Sequence, residues 1–277
     1  MLMHAGEIRV EDFAKLDYPV YASPKLNGIR GVIKGCKLES KSGIPLPNAH
    51  IWAKLSTRHL NGLEGEIICG DPTSKDVSNV TQSIVMSRDK IDMNFKFFVF
   101  DKWNDSINPF EERLRILTED LSMKFPSNVF VLEQVLIYNP VELLEYEDKI
   151  VKMGYEGIVV KNPDCRYKNG RGAMRDQSCL KYKRFRDGEA RIVNIARSIN
   201  VKDSVASIVV KDVKTDIIFS ISSGLTHAMK RDMFTYPEAY MGKLLTYGYR
   251  DVSDKGTPKP AFFIRFRDER DMTKGDE

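Results

Sequence analysis

The sequence predicts an α+β chain in two parts. Apolar strand-like segments mix with helix-like stretches over residues 18–186, and after 186 the pattern turns into a run of short strands. No repeat, low-complexity tract or long linker interrupts either part, and 277 residues suit one large or two modest domains with a proper core.

In the first part, Ile67-Ile68-Cys69 and Phe95-Lys96-Phe97-Phe98-Val99-Phe100 read as strands. Helical spacing runs over 109–123 and 141–153, and Pro140 with the acidic Glu142 just behind it fits a helix start. The stretch 73–88, rich in Ser, Thr, Asp and Lys, reads as a surface loop, either facing a nucleic acid or plainly solvated. Arg186-Asp187-Gly188 reads as a turn and a short hinge. Beyond it, 190–199, 205–213, 217–222, 244–249 and 261–267 read as five strands with a helix-like insert at 226–236. That set suits a small antiparallel β-barrel of the OB type.

Composition excludes some classes. With 43 basic and 39 acidic residues the net charge is +4, which permits a nucleic-acid partner without demanding one. Local clusters say more: Arg166-Tyr167-Lys168-Asn169-Gly170-Arg171 and Lys181-Tyr182-Lys183-Arg184-Phe185-Arg186 interleave cations with aromatics, a pattern that suits a phosphate backbone beside exposed bases or sugars. Cys36, Cys69, Cys165 and Cys179 form no CxxC pair, which argues against a zinc module and fits reduced thiols of an intracellular protein. No apolar run approaches a membrane span, and no GxxxxGK[ST] phosphate loop is present.

The chemistry concentrates in four segments. Lys25-Leu26-Asn27-Gly28-Ile29-Arg30 is followed by Leu63-Glu64-Gly65-Glu66, then by Tyr155-Glu156-Gly157-Ile158-Val159-Val160-Lys161, then by Cys179-Leu180-Lys181-Tyr182-Lys183. Gly28 allows close backbone approach, and Arg30 supplies a fixed fork for phosphate oxygens. A lysine attacks phosphorus only when burial or cationic neighbours lower its pKa, and Lys181 and Lys183, alternating on a strand, would supply that field or hold phosphate oxygens directly. Each piece alone has an ordinary structural reading. Lys25 to Arg30 would be a turn with solvated charges, Glu66 a strand-end carboxylate, Phe100 core, Glu156 the end of a turn, and Arg265 with Arg267 an exposed strand face.

In that order and at those intervals, the set resembles the covalent nucleotidyltransferase superfamily, and within it the small ATP-dependent DNA ligases of phages and viruses. The resemblance covers nearly the whole chain. It implies an adenylation (nucleotidyltransferase) domain over 1–186, built of ATP-grasp-like antiparallel sheets with helices, followed by an OB-fold domain over 187–277. Lys25 matches the lysine that becomes adenylated, within a nucleotide site of Ser23, Pro24, Lys25, Leu26, Arg30, Glu66, Phe100, Lys181 and Lys183. Phe100 matches an aromatic that stacks on adenine, Glu66 and Glu156 match carboxylates near Mg2+, and Arg30 and Lys41 match DNA contacts. Arg265, Arg267 and Arg270 match the terminal OB segment that assists attack on ATP.

Four departures stand out. Asn27 replaces the usual aspartate, Lys41 an arginine, Glu269-Arg270 an aspartate–lysine pair, and Ser23 a longer polar residue that often reads the adenine amino group. The implied function is sealing of 3′-hydroxyl/5′-phosphate nicks in duplex DNA through lysyl-AMP, with ATP and Mg2+. The protein would be a monomer in the cytoplasm, that of the host if phage-encoded. An RNA ligase, an mRNA-capping guanylyltransferase and a non-catalytic nick-binding module are the alternatives.

Overall fold

A computed structural model describes residues 2–124, 126–199, 201–253 and 255–267, without the side chains of 120–124. The chain divides into two compact units, Met1–Lys183 and Arg184–Glu277.

The first unit holds two five-stranded sheets. One runs in the order Gly6–Glu7, Leu180–Tyr182, Ile158–Lys161, Val20–Pro24, Val135–Ile137, and the other in the order Lys37–Glu39, Ile29–Lys34, Leu63–Ile68, Lys96–Lys102, Val129–Val131. Most neighbours are antiparallel, with one parallel pair at an edge of each sheet. The chain crosses from the first sheet to the second between Pro24 and Ile29, so the lysine segment is the crossover itself.

Strand alternation explains how each sheet serves a core and a cavity at once. In Lys96–Lys102, Phe97, Val99 and Asp101 are buried, whereas Phe98 and Phe100 lie half-buried on the opposite face. Phe97 and Val99 join Ile33, Leu55, Leu63 and Leu117 in one core, while Ala22, Leu143, Ile150, Ile158 and Leu180 form a second one under the other sheet. Helix Pro140–Lys152 buries Leu143, Glu147 and Ile150, the one-face spacing of an amphipathic helix, and starts where Asn139 accepts from the amides of Val141 at 3.1 Å and Glu142 at 3.0 Å.

Two segments depart from the sequence reading. The supposed loop at 73–88 contains helix Val77–Val85, whose Val77, Thr81 and Val85 recur every fourth residue and are buried. Thr81 carries its hydroxyl into that face, where the Cys69 amide donates to it at 3.0 Å. The supposed turn at 186–188 is the start of strand Arg186–Arg197, with Gly188 paired opposite Tyr247. A Cβ at Gly188 would lie 2.7 Å from the Tyr247 hydroxyl, so this glycine serves close cross-strand packing and not a turn.

The second unit is an antiparallel sheet in the order Ile218–Ile221, Val205–Asp212, Arg186–Arg197, Leu244–Tyr249, Phe262–Phe266. A parallel bridge from Ser223 to Phe262 joins its two edges. Helix His227–Thr235, capped by Thr226, supplies Met233 to the core of Ile192, Ile208, Phe219 and Phe263. All five expected strands and the helical insert are present. Among the described residues no helix is long and apolar enough to cross a membrane.

One buried polar residue pins a large part of the first unit. Asn48 caps helix Ala49–Leu55 by accepting from Ile51, and its amide donates to the carbonyls of Ile84, Ser87 and Lys90 at 2.8–2.9 Å. Asn48→Ala should cost about 2–4 kcal/mol, from a lost cap and orphaned carbonyls. Urea denaturation should show the midpoint falling while the slope stays constant.

Candidate active site

The site follows from strand register. Ser23, Val159 and Lys181 pair in one row across three strands of the first sheet, while Arg30 pairs with Glu66 on the second. Between these rows the crossover is pressed against strand Leu63–Ile68. A Cβ at Gly28 would sit 2.2 Å from the Ile67 carbonyl oxygen and 2.5 Å from Ile68 Cδ1, so only glycine fits. The Gly28 amide donates to Glu66 Oε1 at 3.1 Å, the Lys25 amide donates to the Gly157 carbonyl at 2.8 Å, and Leu26 is buried between them.

The result is a cavity of about 570 Å³, within the range of small-molecule sites. Ser23, Pro24, Lys25 and Leu26 line it on one side, with Arg30, Lys41, Glu66, Phe100 and Lys181 around the rest. Glu156 and Lys183 lie behind the lysine and not in the lining. Glu156 accepts from Lys25 Nζ through one oxygen and from Lys183 Nζ at 2.8 Å through the other. Burial pushes the Glu156 carboxyl up, but the two ammonium groups outweigh it and hold the carboxyl below its ordinary value. Strand Leu180–Tyr182 ends one residue before Lys183, so the two lysines divide their work: Lys181 faces the cavity and Lys183 holds Glu156. Burial, with Lys25 and Arg171 nearby, holds the Lys181 ammonium below its usual pKa.

Arg30 is anchored tightly. It donates to the Met3 carbonyl at 2.6 Å, forms an ion pair with the fully buried Glu64, and stacks 5.6 Å from the Phe100 ring centre. Tyr167 completes the anchor by donating to Glu64 at 2.6 Å and accepting from the Met3 amide at 3.1 Å. The N-terminal segment therefore forms part of the cavity wall, which the sequence reading did not include. His4 adds a ring there whose pKa is lowered by burial and by Arg30, Lys41 and Arg171.

A buried charge cluster beneath Phe100 was also missed. Asp101 accepts from Arg113 at 2.7 and 3.2 Å and from Lys161 at 2.7 Å, and all three side chains are almost wholly enclosed. Burial pushes the Asp101 carboxyl up, yet Lys161 and Arg113 together hold it at about 2. Lys161 was the last residue of the segment read for Glu156, and Arg113 one charge in an expected helix. A buried acid needing two cations was the missing signal, and only the tertiary fold supplies it.

Arg265 is exposed and Arg267 half-buried in the second unit, where Arg267 donates to Glu189 at 2.9 Å. Arg270 lies outside the described residues. Among the described residues no cluster of three or more His, Cys, Asp or Glu side chains could hold a metal ion unaided.

A nucleotide-sized, cation-rich cavity with a lysine amine held in it is what covalent nucleotidyl transfer requires. The family described as "ATP dependent DNA ligase domain" matches residues 1–183, and the "DNA ligase OB-like domain" matches 199–267. The chain belongs to the ATP-dependent DNA ligase family: a nucleotidyltransferase domain followed by an OB-like domain. A DNA ligase of Haemophilus influenzae is 24% identical over 244 residues, covering 88% of this chain and 85% of its own length. A DNA ligase of African swine fever virus is 27% identical over 183 residues, and that match takes in 62% of this chain but only 44% of the viral protein. The solved structure of the Chlorella virus DNA ligase-adenylate is 28% identical, with a TM-score of 0.58 and coverage of 97% and 98% of the two chains.

Glu66 gives the site a pH signature. Burial raises its carboxyl to about 7, and Lys25, the Gly28 amide and Arg30 only partly offset that. A carboxyl whose folded pKa is raised holds its proton more firmly in the folded state, so its stabilising effect is lost as pH rises from the ordinary carboxylate range through about 7. Glu66→Gln should therefore melt at a higher temperature than the parent at pH 8. Melting curves across pH should show that advantage shrinking toward pH 4.5.

Proposed function

We propose that this chain seals 5′-phosphate/3′-hydroxyl nicks in duplex DNA through a lysyl-AMP on Lys25, with residues 1–186 as the adenylation domain and 187–277 as the OB domain. The observation that carries this is the Lys25 side chain, which projects into the cavity while Glu156, itself held by Lys183, holds it from behind.

In the first step Lys25 Nζ forms a bond to the α-phosphorus of ATP as the bond to pyrophosphate breaks. Nζ must first shed a proton to expose its lone pair, and Glu156 is the acceptor already in contact with it. Lys181 and Arg30 face the cavity where phosphate oxygens gather charge, and Phe100 presents a ring for the base. Ser23, deeply buried in the lining, would lie along the adenine edge. In the second step a 5′-phosphate oxygen displaces Lys25 from the adenylate, with Lys41 and Arg30 as the side chains that meet the strand. In the third, the neighbouring 3′-hydroxyl attacks that phosphorus and AMP leaves. These transfers rely on charge neutralisation more than on a general base.

A magnesium ion fits the donor set in one way. Both Glu156 oxygens are taken by lysines, whereas Glu66 lines the cavity and accepts only the Gly28 amide among the hydrogen bonds described. Glu66 together with nucleotide phosphates would suit Mg2+, which commonly takes one or two carboxylates plus substrate oxygens, and the ion would supply charge neutralisation at the polyphosphate.

The direct test is sealing of a nicked duplex. The protein with ATP and Mg2+ should join a 5′-phosphorylated nick and leave a 5′-hydroxyl nick open, and Lys25→Ala should lose at least about four decades of rate, as loss of a covalent nucleophile does. Joining by Lys25→Ala at parental rate, or binding of the nick with no joining by the parent, would contradict the proposal.

A further inference from the structure

Phe100 is the ring that the proposed function places against the base, and its backbone is fastened from below by charge. Lys161 donates to the Phe100 carbonyl at 3.1 Å and to Asp101 at 2.7 Å, while its ammonium lies 5.5 Å from the Phe100 ring centre and 4.2 Å from that of Phe110. Arg113, fully buried at the first turn of helix Phe110–Lys124, grips Asp101 with two nitrogens and reaches the carbonyls of Asn108 at 2.8 Å and Cys165 at 3.0 Å. One acid is thus held by two cations from two other elements, and it is the residue next to Phe100.

We infer that Asp101, Arg113 and Lys161 are positioning residues for nucleotide binding: together they fix the strand end so that the Phe100 ring stands square to the base. This rests on the proposed function and assigns that same site its supporting parts. The physical reason is that Phe100 is the extra, unpaired residue of its strand's ladder, at the register shift between the pairs Gly65–Val99 and Glu64–Asp101. A strand is free to twist at such a shift. The cluster opposes that twist through a fork of fixed geometry, and Lys161 pins the carbonyl of the stacking residue itself. A stacking ring held loosely loses affinity because the base must then order it on binding.

Charge alone does not account for the arrangement, since a single cation would neutralise Asp101. Two cations from strand Ile158–Lys161 and helix Phe110–Lys124 triangulate it. Tyr21 stacks edge-on against Phe110 at 5.6 Å, and Arg113 lies 5.7 Å from the Tyr167 ring centre, so the cluster also meets the elements that carry Ser23 and anchor Arg30.

The test is the rate of lysyl-AMP formation against ATP concentration, for Arg113→Lys, which keeps the charge and loses the fork, and for Asp101→Asn, which keeps the shape. Each should raise KM for ATP about ten-fold, the size of a weakened base stack, with kcat within about two-fold. Phe100→Ala should raise KM similarly, and adding Arg113→Lys to Phe100→Ala should raise it no further, because both changes remove one stack. A lowered melting temperature with unchanged KM in both single variants would overturn the inference, leaving the cluster a purely structural ion pair. Multiplying effects in the double variant would overturn it too. Should Arg113→Lys fail to fold, Asp101→Asn with Phe100→Ala completes the same cycle. Absence of any label on the parent protein would instead count against the proposed function itself.

Discussion

Everything in the first unit is arranged around one close approach, that of residues 25–28 against strand Leu63–Ile68. Because no side chain fits at Gly28, the crossover lies on the strand with its amide on Glu66, and the Lys25 amide is tied to Gly157 at the other end. Leu26 fills the space beneath. A long, floppy amine thereby leaves the backbone at a fixed point between two sheets. Fixing the point of departure removes most of the orientational search that an unanchored lysine would face.

Charges are handled in two ways around the cavity. Asp101 has two cations within hydrogen-bonding distance and stays ionised despite burial, with a pKa of about 2. Glu66 has one amide and more distant cations, and its carboxyl is raised to about 7. The first is a completed network, which stiffens its surroundings and tolerates no missing member. The second is an incomplete one that gains when a cation or a nucleotide arrives. The same contrast separates Lys183, committed to Glu156 at 2.8 Å, from Lys181, which lines the cavity with Glu7 only at 3.9 Å.

Much of this was legible in the sequence, for identifiable reasons. The strand Phe95 to Phe100 announced itself by composition, helix Pro140–Lys152 by its proline and acidic first turn, and the second unit by five short apolar runs. The four segments around Lys25, Glu66, Glu156 and Lys181 kept an order that local structure alone would not impose. The helix at Val77–Val85 was hidden because Ser78, Asn79, Gln82 and Ser83 stand outside its buried stripe and Thr81 stands within it, a pattern that reads as loop. Gly188 looked like a turn because a glycine selected for packing carries the same letter as one selected for conformation. The Asp101, Arg113 and Lys161 cluster and the Tyr167 anchor join residues far apart in sequence, so nothing local marks them.

The central claim is that Lys25 carries the nucleotide covalently, and intact-mass analysis with peptide mapping tests it most directly. After incubation with ATP and Mg2+, the protein should gain the mass of one adenylyl group, located on the peptide containing Lys25 and lost in acid. An unmodified mass, an adduct on another residue, or a guanylyl adduct formed from GTP in preference to ATP would contradict the account.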